Sequence, residues 1–194
     1  MKAVCVYCGS SSGASPVYAE AAQAFGNALV AANLGLVYGG GKVGLMGVIA
    51  DTVMAAGGRV TGVIPELLLN KEVGHEGLTQ LHVVPDMHQR KKMMADLSDA
   101  FVALPGGAGT LEELFEVYTW AQLGYHHKPV ALLNIGGFYD PLIALLEHTV
   151  REGFMRRTYL DLLQIDSDPA ALIAKLKHYH APAKDKWADM RENV

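Results

Sequence analysis

Short apolar runs recur along this chain, and most of them stop at glycine or proline. Residues 3–7, 36–38, 59–64, 81–84, 100–104, 129–133 and 162–165 are of this kind. Between them lie longer stretches with helix signals. Ser15 precedes Pro16, Asp86 precedes 87–97, and Asp168 precedes Pro169; each is a side chain able to accept from the open amides of a helix's first turn. Gly35 and Gly57-Gly58 read as helix stops. The expected helices are 16–32, 43–56, 87–97, 110–123, 140–152 and 169–177, with 66–78 a loop containing a helical turn. Strands that are apolar on both faces must be covered on both faces, and strand–helix alternation does this through parallel pairing. The sequence therefore predicts an α/β fold: a single-domain, Rossmann-like, doubly wound parallel sheet flanked by helices. It would span 1–180, with 181–194 a polar tail.

Ligands of such sheets sit beyond the carboxyl ends of the strands. Here those ends carry Gly9-Ser10, Gly39-Gly40-Gly41, Pro65-Glu66, Pro85-Asp86 and Pro105-Gly106. The net charge of −4 repels nucleic-acid backbones, so no nucleic-acid partner is expected. A monomeric nucleotide needs only a few local cations. The most apolar helix candidate, 43–56, contains Asp51, and the apolar run after Met1-Lys2 is short for an export signal. No membrane partner is expected, and the cytoplasm is the expected location. Cys5 and Cys8 are three apart on a strand and face opposite ways, which predicts buried, inert thiols rather than a redox pair. The histidines show no metal-ligand spacing. Neither a metal nor a cofactor is expected.

Four segments carry candidate chemistry. Pro105-Gly106-Gly107-Ala108-Gly109-Thr110 lies between a strand and a helix. Glycines allow close backbone approach, and a helix N-terminus adds unpaired N–H groups and partial positive charge, so the segment reads as a phosphate cradle. Its plainer reading is a tight turn with Thr110 as cap. Glu112 and Glu113 follow in the first helical turn. The helix dipole favours acids there, yet carboxylates repel a phosphate. They make sense if the ligand also develops positive charge, as a ribose does when it loses its base. Met87-His88-Gln89-Arg90-Lys91-Lys92 offers a planar phosphate fork and point charges, or simply a solvated basic face. Gly39, Gly41 and Gly44 formally satisfy G-x-G-x-x-G but follow the second strand, not the first, so dinucleotide binding is poorly supported.

Taken together these residues resemble the LONELY GUY family of cytokinin riboside 5′-monophosphate phosphoribohydrolases. The hallmark P-G-G-x-G-T-x-x-E is here Pro105 to Glu113. The resemblance extends through Cys8-Gly9-Ser10-Ser11, Tyr38 to Gly47, Gly62-Val63-Ile64-Pro65, Met87 to Lys91, and Thr119-Trp120-Ala121-Gln122-Leu123-Gly124, covering about residues 3 to 165. Ala108 stands where the family often has Tyr. The resemblance implies hydrolysis of the N-glycosidic bond of an adenine-type nucleoside 5′-monophosphate, giving free base and ribose 5-phosphate, by a homodimer. It implies Arg90 and Glu113 as the catalytic pair. Glu72, Arg90, Lys91, Gly106, Gly107, Ala108, Gly109, Thr110, Leu111, Glu112 and Thr119 would contact the substrate.

Two alternatives stand beside this reading. One is a non-catalytic nucleotide-binding or sensing protein, which would not need both Arg90 and Glu113. The other is a pyridoxal-phosphate decarboxylase, which needs a Schiff-base lysine. Only Lys42 and Lys91 lie near strand ends.

Overall fold

The computed structural model describes residues 1–69 and 74–181. Seven strands form one all-parallel sheet in the order β4-β3-β2-β1-β5-β6-β7. The strands are β1 (Ala3–Tyr7), β2 (Gly35–Tyr38), β3 (Val60–Pro65), β4 (Gln80–Val84), β5 (Ala100–Ala103), β6 (Val130–Leu133) and β7 (Leu163–Asp166). The helices are α1 (Pro16–Ala31), α2 (Gly44–Ala55), α3 (Glu66–Leu69), α4 (Met87–Asp96), α5 (Ala108–Leu123), α6 (Asp140–Arg151), α7 (Arg157–Leu160) and α8 (Pro169–Lys177). The expected doubly wound fold is the observed one. The short α7 and a 3-10 turn at Ile135–Gly137 carried no signal in the sequence.

Each face of the sheet has its own core. One packs Val4, Val6, Leu36 and Val102 against α1, α2 and α8 through Phe25, Leu29, Ile49 and Leu172. The other packs Cys5, Val37, Phe101 and Leu132 under α4, α5 and α6 through Met94, Leu114, Tyr118 and Leu146. Burying an aliphatic or aromatic side chain contributes roughly 1.5–3 kcal/mol, so strands apolar on both faces hold the layers together.

The helix starts follow the sequence. Ser15 Oγ accepts from the Val17 amide at 3.4 Å, Asp86 Oδ1 from Gln89 at 2.8 Å, and Asp168 Oδ1 from Ala171 at 2.7 Å. Two expectations are corrected. Gly35 does not end α1. Asn33 takes the left-handed conformation there, with φ 57°, and Gly35 opens β2. Asn tolerates that region better than most residues because its short amide can bond locally. Thr110 does not open α5. The helix begins at Ala108 with Gly107 at the cap position, and no side chain caps it.

Candidate functional site

β1 and β5 are neighbours, but the chain leaves them in opposite directions across the sheet, so the loops beyond their ends diverge and leave a crevice. Tyr7 pairs with Ala103, which brings the two strands to the same level. The Gly9 amide then donates to the Pro105 carbonyl at 3.1 Å. A Cβ on Gly106 would stand 2.1 Å from Thr110 Oγ1 and 2.8 Å from the Gly9 nitrogen, so only glycine fits at the crevice floor. Gly107 and Gly109 differ. Both are exposed, neither has positive φ, and a Cβ on either would meet nothing within 4 Å. No protein contact demands glycine at these two positions, and the space in front of them is open. The first amides of α5 face that space without a capping side chain. Thr110 lies inside the turn, 4% exposed.

Arg90 reaches this region from α4. Its side chain is 6% exposed, and Nη2 donates to the Gly39 carbonyl at 3.1 Å. Nη1 lies 3.7 Å from the Met87 sulfur, and Nε is buried without a hydrogen-bond partner. The seat for this guanidinium is Gly39 itself, where a Cβ would come within 1.9 Å of Nη2. A buried cation with an unused donor is costly unless something anionic completes it.

Glu113 projects from α5 and is partly exposed. Its charge opposes ionisation of Cys5, Tyr7 and Cys8, which together bracket the carboxyl end of β1. The Arg90 charge also bears on Cys5, in the opposite sense. Both charges are thus felt at the same residue of β1. Burial holds both thiols far above their usual pKa, and Cys5 and Cys8 fall in opposite cores, inert as expected.

Lys91 is not presented to the crevice as a free cation. Its ammonium binds Glu112 and, at 3.0 Å, Glu116. Burial alone would lower its pKa, but the two carboxylates outweigh that and raise it. A Schiff-base lysine needs the reverse, a lowered pKa and an available amine.

The structure therefore brings together Arg90, Lys91, Gly106, Gly107, Ala108, Gly109, Thr110, Leu111, Glu112 and Glu113. It does not bring Thr119 to the loop. Thr119 is exposed and lies about 15 Å along α5 from Gly109. Glu72 and the tail 182–194 lie outside the described residues. A cavity of about 590 Å³ is lined by Leu69, His75, Leu78 and Leu81, and by none of the candidate site residues just named. Gly9 and Gly39 were read only as strand-end glycines, without the partners the structure gives them, and Glu116 escaped the sequence reading. Gly39 sat inside a motif judged by its resemblance to dinucleotide loops, while Glu116 was legible as the second acid of an i, i+4 pair with Glu112. His126 is half-buried. Its Nε2 lies 2.9 Å from the Val117 carbonyl.

A parallel sheet whose reversal point carries a glycine-lined helix start, a buried arginine and a helix-borne glutamate defines a nucleotide-handling α/β protein. The chain belongs to the LONELY GUY family, whose family model is described as "Possible lysine decarboxylase" and matches residues 46–176. It is similar to the cytokinin riboside 5′-monophosphate phosphoribohydrolase LOG3 of Arabidopsis thaliana, with 48% identity over 185 residues, 95% of this chain and 86% of that protein. It is 47% identical over 190 residues to LOG1 of the same plant, covering 98% and 89% of the two chains. The fold also matches a molybdenum cofactor binding protein from the phototrophic bacterium Rippkaea orientalis, with TM-score 0.68, 22% identity, and 91% and 96% of the two chains covered. At that identity the likeness concerns the fold alone.

Proposed function

We propose that this protein hydrolyses the N-glycosidic bond of adenine-type nucleoside 5′-monophosphates, a cytokinin riboside 5′-monophosphate or AMP, to free base and ribose 5-phosphate. The observation that carries the reading is the buried Arg90 guanidinium, seated on Gly39 with Nε unsatisfied and beside the uncapped start of α5, its charge felt at the same residue of β1 as that of Glu113. Relatives nearly half identical over almost the whole chain bear the name of this activity.

In this reading the 5′-phosphate rests on the amides of residues 107–110, where Gly107 and Gly109 leave room for it. Glu113 faces the ribose. As the bond from C1′ to the base nitrogen breaks, its electron pair leaves with the base and the sugar becomes cationic; the carboxylate stabilises that cation and orients water toward C1′. Water's oxygen bonds to C1′ and gives up one proton, and the departing base takes up one, so that water is divided between sugar and base. Arg90 supplies positive charge where the base or phosphate is richest in electrons. Removing such a partner typically costs ~2.7–4 kcal/mol, roughly 10²–10³ in rate. Glu113→Gln and Arg90→Ala are each expected to lose at least about 10²-fold in kcat while remaining folded. The test is release of free base from a panel of nucleoside monophosphates, with unphosphorylated nucleosides as controls. Near-normal turnover by either variant refutes its role, and release of no base from any nucleotide refutes the reaction.

The enzyme is further proposed to act as a homodimer in the cytoplasm. Buried free thiols suit a reducing compartment. Met87 on α4, Leu97 just beyond its end and Val83 near the end of β4 are exposed apolar side chains available to a second copy. A second copy packed along α5 would also give Thr119 a route to a ligand that its own chain's loop does not provide. Among the described residues no helix is long and apolar enough to cross a membrane. Sedimentation equilibrium checks the dimer, and a monomer at micromolar concentration refutes it.

A further inference from the structure

The loop beyond β1, Gly9-Ser10-Ser11-Ser12-Gly13, starts against Pro105 and Gly106 at the crevice floor, and its side chains have no part in the reaction as described so far. Its main chain is fixed on two sides. Gly9 donates to Pro105, and a Cβ on Gly9 would lie 3.3 Å from the Gly106 Cα. Ser10 presses its carbonyl group onto Gly44, where a Cβ would come within 2.3–2.5 Å of Ser10 atoms and φ is +58°. The Leu45 amide then donates to the Gly9 carbonyl at 3.0 Å.

The serines of this loop and of the start of α1 divide by duty. Ser11 Oγ accepts from the Gly13 amide at 3.3 Å, and Ser15 Oγ caps α1. Ser10 and Ser12 are exposed and make no side-chain hydrogen bond among the described residues. Of these two, Ser10 adjoins the residue that touches Gly106, whereas Ser12 lies further toward α1. A hydroxyl on an immobilised backbone beside an anion cradle is a pre-positioned donor, so its bond to the ligand requires little further ordering.

We infer that Ser10 is a further substrate-binding residue, its hydroxyl donating to the phosphoryl group held by residues 107–110. This rests on the phosphate placement proposed above. A hydrogen bond to a charged group corresponds to roughly a 10–100-fold change in affinity. The test measures calorimetric binding of ribose 5-phosphate and steady-state turnover of AMP and adenosine by wild type, Ser10→Ala, Ser10→Thr and Ser12→Ala. Ser10→Ala is expected to weaken ribose 5-phosphate binding about 10-fold or more and to lower kcat/KM for AMP in parallel, with Tm and any turnover of adenosine unchanged. Ser10→Thr, which keeps the hydroxyl, is expected to recover most of the affinity, and Ser12→Ala to match wild type. Wild-type affinity in Ser10→Ala overturns the inference, as does an equal loss on AMP and adenosine or a failure of Thr to rescue. A wild-type protein that binds ribose 5-phosphate but frees no base refutes the proposed reaction while the Ser10 comparison still stands. One that binds no ribose 5-phosphate refutes both.

Discussion

Gly39→Ala is the most incisive test of how Arg90 is held. The new Cβ would lie 1.9 Å from Nη2 and 3.1 Å from the guanidinium carbon. The guanidinium would have to retreat by about 1.5 Å to restore ordinary van der Waals contact. The bond from Nη2 to the Gly39 carbonyl does not survive that shift. Losing a charge-assisted hydrogen bond inside the protein costs about 1.5–3 kcal/mol. Alanine at an ordinary φ returns about 0.4–1 kcal/mol by restricting the unfolded chain. The net loss of about 1–2 kcal/mol corresponds to a Tm lower by a few degrees, so the variant folds. Activity should fall much further than stability, because misplacing a reacting group by about 1 Å can cost ~10²-fold. The assay is base release from AMP at 25 °C alongside thermal melts, for Gly39→Ala, Arg90→Ala and the double variant. Gly39→Ala is expected to lose about 10²-fold in kcat, and the double variant to be no slower than Arg90→Ala, since both changes remove one interaction. Wild-type turnover in Gly39→Ala, or losses that multiply in the double variant, would falsify the claim that Gly39 serves Arg90.

Gly107→Ala and Gly109→Ala separate stability from binding. With no neighbour within 4 Å and no positive φ, both should fold; Gly107→Ala should lose about 1 kcal/mol at most at the cap position, and Gly109→Ala should gain up to about 1 kcal/mol as a helix residue, while KM for the nucleotide rises several-fold; an unchanged KM refutes close phosphate approach. Gly106→Ala, facing backbone and Thr110, should instead lower Tm sharply or prevent folding, and a fully stable variant contradicts the packed crevice floor. His126 gives a pH signature. Its pKa is lowered from 6.5, first by burial and then by the Lys128 and His127 charges, and Nδ1 accepts from the Lys128 amide at 3.1 Å, which fixes the neutral ring with its proton on Nε2. The unfolded chain therefore binds the proton more readily, so the stabilising contribution is full above pH 6.5 and declines as pH falls from there toward the lowered folded value. Melts from pH 7.5 to 5 should show wild type losing more Tm than His126→Gln, and parallel curves refute the assignment.

The fold was legible because its signals are local. Ser15, Asp86 and Asp168 announce helix starts from their own side chains, and the strands declare themselves by being apolar on both faces. Gly35 was misread as the stop of α1 because both Asn and Gly can take a left-handed turn, and the chain uses Asn33. The crevice floor was half legible. Three glycines between Gly106 and Gly109 mark a backbone that something approaches, but what approaches differs. At Gly106 it is Thr110 and the Gly9 loop; at Gly107 and Gly109 it is open space. The role of Gly39 was illegible for a related reason. Its partner is a side chain more than fifty positions away, and only the sheet order that sets β2 beside β3 and β1 brings them together.

The acids beside the phosphate cradle, self-defeating in sequence, become intelligible through Lys91. A carboxylate about 6 Å from a phosphate charge repels it by roughly 3 kcal/mol at an effective dielectric near 20. Lys91 binds Glu112 and Glu116 at once, offsetting part of that repulsion and tying α4 to α5. The local balance is then two cations, Arg90 and Lys91, against Glu112, Glu113 and Glu116, with a partial positive charge from the start of α5. Such a site has little excess charge with which to grip a phosphate in the ground state. It gains attraction when the sugar becomes cationic, because the Glu113 carboxylate then meets a positive charge that the ground-state sugar lacks. Interactions that strengthen only in the transition state raise kcat rather than tighten substrate binding. A protein that merely sensed the nucleotide would be better served by glutamine at position 113, so Glu113→Gln should bind AMP at least as tightly as wild type while losing turnover. Weaker AMP binding in that variant would mean that the carboxylate grips the ground state, and the case for catalysis by differential binding would fail with it.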